Sequence, residues 1–383
     1  MSTMDIFNVD DSIREFTNDA NKDDLNVIVE EFKRGHFPNV LYKTKAFRQT
    51  YEPNNRLARI LSLLDATCHA QIGEGKRAAD IIRNIYQHSN AKSVDDLILY
   101  GNLAFMCDYK LARRIMSDAV KQVENEDAFD PLKAGQAFLV LGEAEEHLEK
   151  FVRAIKYYKR GLTYFQAAKE QNRQMILFLH FKLGALHSMT NKTDKAIEYL
   201  EKTIDLTEEN DLEIKINSLV SLAKMYGSKD DSNKAIAYLE TAIPLLEDST
   251  LAYKLVHAEA YTEMAYNYFD QSKFDQAVPY YERAIGLHLG LPNYSPRELG
   301  MIYMQYAYCV ENKEPSDTSL AGRNYEKAYE QLEKTKDLEL IENSLADIIA
   351  FFNRIDHVRK KRFYENKFVK LTNEKASYRL QNA

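Results

Sequence analysis

The residues of this chain that could do chemistry are few and poorly grouped. Gly73-Glu74-Gly75-Lys76 is its Gly-rich loop, the kind of segment whose backbone N–H groups can cradle a phosphate. A P-loop also needs a Gly five residues before its Gly-Lys pair and a Ser or Thr after the lysine. Those places hold Ala70 and Arg77, and no strand precedes the loop, so it reads as a turn between two helices. The histidines form no H-E-x-x-H pattern; His180 and His187, seven apart on one expected helix, are too distant to share a metal without other ligands. Cys68 and His69 are adjacent and so point to different helix faces. Cys68, Cys107 and Cys309 are odd in number, far apart and without a C-x-x-C pair, which reads as buried free thiols. No G-x-S-x-G elbow or kinase motif set is present, and carboxylates such as Glu198 near Lys202 and Glu282 beside Arg283 read as solvated helix faces. No enzyme, no cofactor and no metal are expected.

The totals point to helices as the elements that carry whatever function remains. Only 13 Gly and 8 Pro occur in 383 residues, which leaves few places for tight turns or flexible linkers. No run approaches the roughly 18 apolar residues of a membrane span. Residues 1–11 show neither a secretory signal nor an Arg-rich transit peptide, so a cytoplasmic address is expected, with no membrane. The net charge of −7 makes nucleic acid an unexpected partner for the body of the chain. Residues 354–383 differ, carrying nine Lys or Arg against three acids. Such a segment can meet an acidic partner, or can form a solvated cap that offsets an acidic body.

A repeat emerges from the small residues. Lys195-Ala196-Ile197-Glu198-Tyr199-Leu200 recurs as Lys234-Ala235-Ile236-Ala237-Tyr238-Leu239, as Gln276-Ala277-Val278-Pro279-Tyr280-Tyr281 and as Arg153-Ala154-Ile155-Lys156-Tyr157-Tyr158. In each copy a small residue is followed at +4 by an aromatic or Leu, and at +7 by another small residue or Thr. Those offsets share one helical face, and small residues bracketing a large one let two helices approach closely. The marker alanines Ala112, Ala154, Ala196, Ala235 and Ala277 are spaced 42, 42, 39 and 42, with a degenerate copy at Ala321. Twelve residues before the clear markers stand Gly142, Gly184, Ala223 and Ala265, each on another amphipathic stretch, and short polar links join the two. The unit is helix, turn, helix.

This pattern resembles the tetratricopeptide repeat: Tyr261, Met264-Ala265, Tyr268, Ala277, Tyr281 and Ala284 stand at the family's offsets, as do Leu219, Leu222-Ala223, Tyr226, Ala235, Leu239 and Ala242. The resemblance implies an all-α, right-handed superhelical solenoid of antiparallel helix pairs. The family unit is about 34 residues, so a period near 42 predicts helices longer by about a turn each; the family's closing Pro is missing from most copies. Weaker hairpins are expected at residues 55–90, 95–123 and 338–379, and two or three further helices within 1–50. The expected division is divergent hairpins over 1–94, the repeat array over 95–337 and a capping hairpin with a basic helix over 338–383. An acidic stretch ending in Pro, residues 124–131, is a candidate hinge.

In the tetratricopeptide family the first helix of each pair lines a concave groove at positions 2, 5, 9 and 12. Carried over, this assigns Gln136, Leu139, Glu143 and Glu146; Phe178, Phe181, Ala185 and Ser188; Asn217, Val220, Lys224 and Gly227; Glu259, Thr262, Tyr266 and Phe269; and Met301, Met304 and Tyr308. Aromatics on a face that would otherwise meet water suggest a ligand, and Asn217, Lys224 and Glu259 are suited to hydrogen-bond a peptide backbone or fix its ends. The implied partner is a short peptide or a protein tail. The two-carboxylate clamp of chaperone-binding repeats is not reproduced. Repeat length and texture over residues 95–380 also resemble the Gram-positive peptide-pheromone receptors of the Rap, PlcR and Rgg type, whose repeat domain encloses a short signalling peptide. A regulatory receptor or adaptor is therefore expected. The alternative is a Rap-like regulator acting on a response regulator or nucleic acid through its terminal segments, although neither a helix-turn-helix module nor the Rap three-helix bundle with its catalytic Gln is legible at the N-terminus.

Overall fold

A computed structural model describes residues 9–89, 92–125, 129–170, 172–249 and 254–381. Every regular element among them is helical, and no strand occurs among the described residues. The chain divides into two compact units, residues 1–192 and 193–383. In the first unit the helices are α1 (Val9–Arg14), α2 (Lys22–Lys33), α3 (Phe37–Tyr51), α4 (Asn55–Gln71), α5 (Gly75–His88), α6 (Val94–Phe105), α7 (Tyr109–Asn125), α8 (Pro131–His147), α9 (Phe151–Ala167) and α10 (Arg173–Met189). The second unit holds α11 (Thr193–Leu206), α12 (Leu212–Gly227), α13 (Ser232–Asp248), α14 (Lys254–Asp270), α15 (Phe274–Leu289), α16 (Pro296–Asn312), α17 (Thr318–Leu332), α18 (Leu338–Arg354) and α19 (Val358–Gln381). The middle of the candidate hinge, residues 126–128, lies outside the described residues. The three-way division by repeat clarity remains a proposal beside this division by packing.

Consecutive helices pack as hairpins: α2 with α3, α4 with α5, α6 with α7 and α8 with α9 in the first unit, then α12 with α13, α14 with α15, α16 with α17 and α18 with α19 in the second. Local chemistry sets their ends. Asn54, Ser93, Asp130, Asn172, Asp231, Ser295, Asp317 and Asp337 each accept a backbone N–H of the first turn of the helix that follows, satisfying a donor with no intrahelical partner. The turns inside hairpins share a second device. Gly73, Glu149, Asp230, Ser272 and Asp356 adopt left-handed backbone angles, with φ of 83, 59, 59, 56 and 52°. The next N–H then reaches back five residues, as in Glu74 N to His69 O at 2.8 Å, Lys150 N to Glu145 O at 2.8 Å and Lys273 N to Tyr268 O at 2.9 Å. This is the Schellman closure, which satisfies carbonyls that a helix end would leave bare. The Gly-Glu-Gly-Lys loop is one of these turns.

The marker residues form the packing seam. Ala112, Ala154, Ala196, Ala235, Ala277 and Ala321 are fully buried, as are the +4 residues Tyr158, Leu200, Leu239 and Tyr281. Small residues on the facing helix make room for them: a Cβ on Gly142 would lie 2.5 Å from the Tyr158 ring, so only glycine lets α9 seat its tyrosine against α8. The extra length of the repeat lies in the helices, since α8, α9 and α10 each run 17 residues.

Candidate functional site

In the first unit, α8 and α10 present the assigned face. Phe178, Phe181, Ala185 and Ser188 are half-buried, as are Leu139, Glu143 and Glu146, while Gln136 is exposed. A polar network binds the two helices. Glu146 accepts the Tyr158 hydroxyl at 2.5 Å and Lys182 Nζ at 2.7 Å, and that lysine also lies over the Phe178 ring, 5.8 Å from its centroid. Burial pushes the neighbouring Glu143 carboxyl up to about 7, with the Glu146 charge adding to the rise and Lys182 opposing it.

In the second unit, α12, α14 and α16 carry the rest. Lys224 pairs with Glu259 at 3.0 Å. One turn beyond Glu259 on α14, Glu263 is raised by burial, an effect opposed by Lys224 and reinforced by Glu259 and Glu298. The buried His288 of α15 lies 3.1 Å from the Thr262 hydroxyl and 3.8 Å from Glu298. Burial lowers its pKa, so the imidazole resists becoming charged. At the C-terminal ends of α14 and α16 the face becomes aromatic: Tyr266 and Tyr308 are 40% and 42% exposed, and the Tyr308 ring meets Phe269 at 5.7 Å and Phe274 at 5.6 Å.

Three assignments shift. Val220 of α12 is 2% exposed and belongs to the core. Met304 is only 9% exposed and packs in the core beside Ile302 and Tyr303, so it offers a ligand little surface. Asn217 turns its Nδ2 back to the Glu213 carbonyl at 2.8 Å, which spends one of its two N–H donors on its own helix and leaves the other and the amide oxygen for a partner. Sequence offsets missed Lys182, Glu263, His288 and Glu298. Lys182 and Glu263 follow assigned positions by one residue, a signal that was present; His288 belongs to a second helix, which the repeat pattern gives to packing.

The basic C-terminal segment is tied to its neighbours. Arg354 pairs with Glu311 at 2.8 Å, Lys360 with Glu326 at 2.9 Å and Lys367 with Glu333 at 3.5 Å, and Lys375 pairs with Glu342. These partners lie on α16, α17, α18 and the turn after α17. Among the described residues no His, Cys, Asp or Glu group is arranged to hold a metal, and no helix is long and apolar enough to cross a membrane.

The helix pairs carry the seam of the tetratricopeptide repeat, and residues 133–209 match the tetratricopeptide repeat. More particularly, residues 178–333 match the RNPP family C-terminal domain. Similar solved structures include the apo form of RapI, 13% identical with a TM-score of 0.62, covering 94% of this chain and 99% of that one. The apo form of the quorum sensor NprR from B. thuringiensis is 12% identical with a TM-score of 0.54 and covers 92% of this chain and all of that one. Aspartyl phosphate phosphatase F from Bacillus subtilis is 14% identical with a TM-score of 0.51, covering 91% and 93%. At these identities the likeness is one of fold. No curated protein sequence matches the chain.

Proposed function

We propose that this protein is a cytoplasmic regulatory receptor or adaptor that binds an extended peptide, or the flexible tail of a protein, and does no catalysis itself. Each unit binds through the inner face of its first helices: Phe178, Phe181 and the Glu143–Glu146–Lys182 network in one, and Asn217, Lys224, Glu259, Tyr266, Phe269 and Tyr308 in the other. The observation that carries this reading is the exposure of two tyrosines, Tyr266 on α14 and Tyr308 on α16, on the same set of helices that holds the Lys224–Glu259 ion pair. Aromatic rings left open to water next to isolated polar groups are the usual composition of a binding surface rather than of a solvated face. Apolar contacts there would take side chains, and the polar groups would fix the chain direction. The quorum sensor NprR shares the fold, which favours a signalling peptide over a structural partner.

The test is a positional-scanning pentapeptide library read against the full chain by fluorescence anisotropy. Tyr266→Ala with Tyr308→Ala should weaken the selected peptides about tenfold or more while circular dichroism stays unchanged. Undiminished affinity in that double variant would remove the second unit's face from the reading. Capture of a response regulator, insensitive to the same substitutions, would favour action through the terminal segments instead.

A further inference from the structure

We propose that the second unit has a separate site, between α17, α18 and α19, for a small amphipathic anion: a carboxylate or sulfonate with an apolar body. The cavity there measures about 820 Å³, within the roughly 300–1,000 Å³ typical of small-molecule sites. Its floor is hydrocarbon, with Ile341, Leu345 and Leu371 buried and Leu338 half-buried. Three lysines and two glutamates stand at its rim: Lys336, Lys367, Lys370, Glu333 and Glu374.

The charges at that rim do not balance. Glu333 is already engaged, accepting the Tyr329 hydroxyl at 2.8 Å and pairing with Lys367 at 3.5 Å. Glu374 pairs loosely with Lys370 at 3.9 Å. Lys336 is exposed and has no ion pair among the described residues, and its left-handed backbone, with φ of 59°, fixes where the turn carries it. One cation is left over beside an apolar floor, with a second held only loosely. The complement of that arrangement is a ligand with a single anionic head and a hydrocarbon or aromatic body. A neutral amphiphile would leave Lys336 unmatched, and a cationic one would be repelled by it. None of the residues of the proposed peptide face takes part.

The probe is 8-anilinonaphthalene-1-sulfonate, itself an amphipathic anion, whose fluorescence with the full chain is followed while octanoate, octan-1-ol or octylammonium competes. Octanoate should displace the dye at a concentration about tenfold or more below that of octan-1-ol, and octylammonium should do worst. Lys336→Glu with Lys370→Glu, both at exposed positions, should raise the octanoate concentration needed by a similar factor and leave the melting temperature unchanged. Leu338→Trp, which fills part of the apolar floor, should weaken the dye itself. Equal competition by octanoate and octan-1-ol, or displacement indifferent to the two lysine substitutions, would overturn the proposal. So would the absence of dye binding.

Discussion

Glu143 shows how much a single carboxyl on the inner face depends on its surroundings. Burial raises it from an ordinary 4.5 to about 7. A carboxyl whose folded value is raised favours the native state fully below its unfolded pKa, and that contribution is lost as the pH climbs through the folded value. The window is therefore about pH 4.5 to 7. Glu143→Gln, which keeps the shape and cannot ionise, should melt close to the wild type at pH 5 and clearly above it at pH 8. A gap that stays constant across thermal melts from pH 5 to 8 would show that the carboxyl is not held in that state. The motif offset alone places Glu143 on this face, but it cannot see the charge state, which burial sets, with Lys182 of α10 opposing the rise and Glu146 of α8 adding to it. Met304 and Asn217 differ for the same reason. An offset says which way a Cα–Cβ bond points, not whether a neighbour covers the side chain or its own backbone captures it.

Helices and turns were legible to different depths. The seam alanines repeat because no longer side chain fits, and that steric rule is written directly in residue size. Ala196→Glu and Ala277→Glu should each cost about 3 kcal/mol or more, since they overpack the seam and bury a charge with no partner. Glu198→Ala, on the exposed face of the same helix, should fall within about 0.5 kcal/mol of the wild type. Urea unfolding of the three variants checks the register, and equal midpoints would refute it. The hairpin turns were less legible. Left-handed positions normally advertise themselves as glycine, yet here Glu149, Asp230, Ser272 and Asp356 occupy them. Asp230 and Asp356 are of a type that tolerates the conformation, but nothing in Glu149 or Ser272 announces it, because the closing hydrogen bonds of the turn impose it.

For the whole molecule, composition and period were enough to exclude sheets and to predict hairpins, because each hairpin repeats the same local rules and contacts mainly its neighbours. The purpose of the basic C-terminal segment was not readable, since its charges find their partners on other helices. That feature also bears on how the backbone breathes. Core helices such as α8 are held by buried apolar contacts, which ionic strength hardly touches, whereas α19 buries Tyr364 and Leu371 and otherwise leans on lysine–glutamate bridges to α17, α18 and the turn between them. Each exposed bridge contributes about 0.2–1 kcal/mol and weakens as salt screens it. Hydrogen–deuterium exchange should then speed up with added sodium chloride over residues 358–375 while the amides of α8 keep their protection. A uniform response along the chain would mean that the bridges contribute nothing; a local one would make the last helix the part of this protein that senses ionic strength.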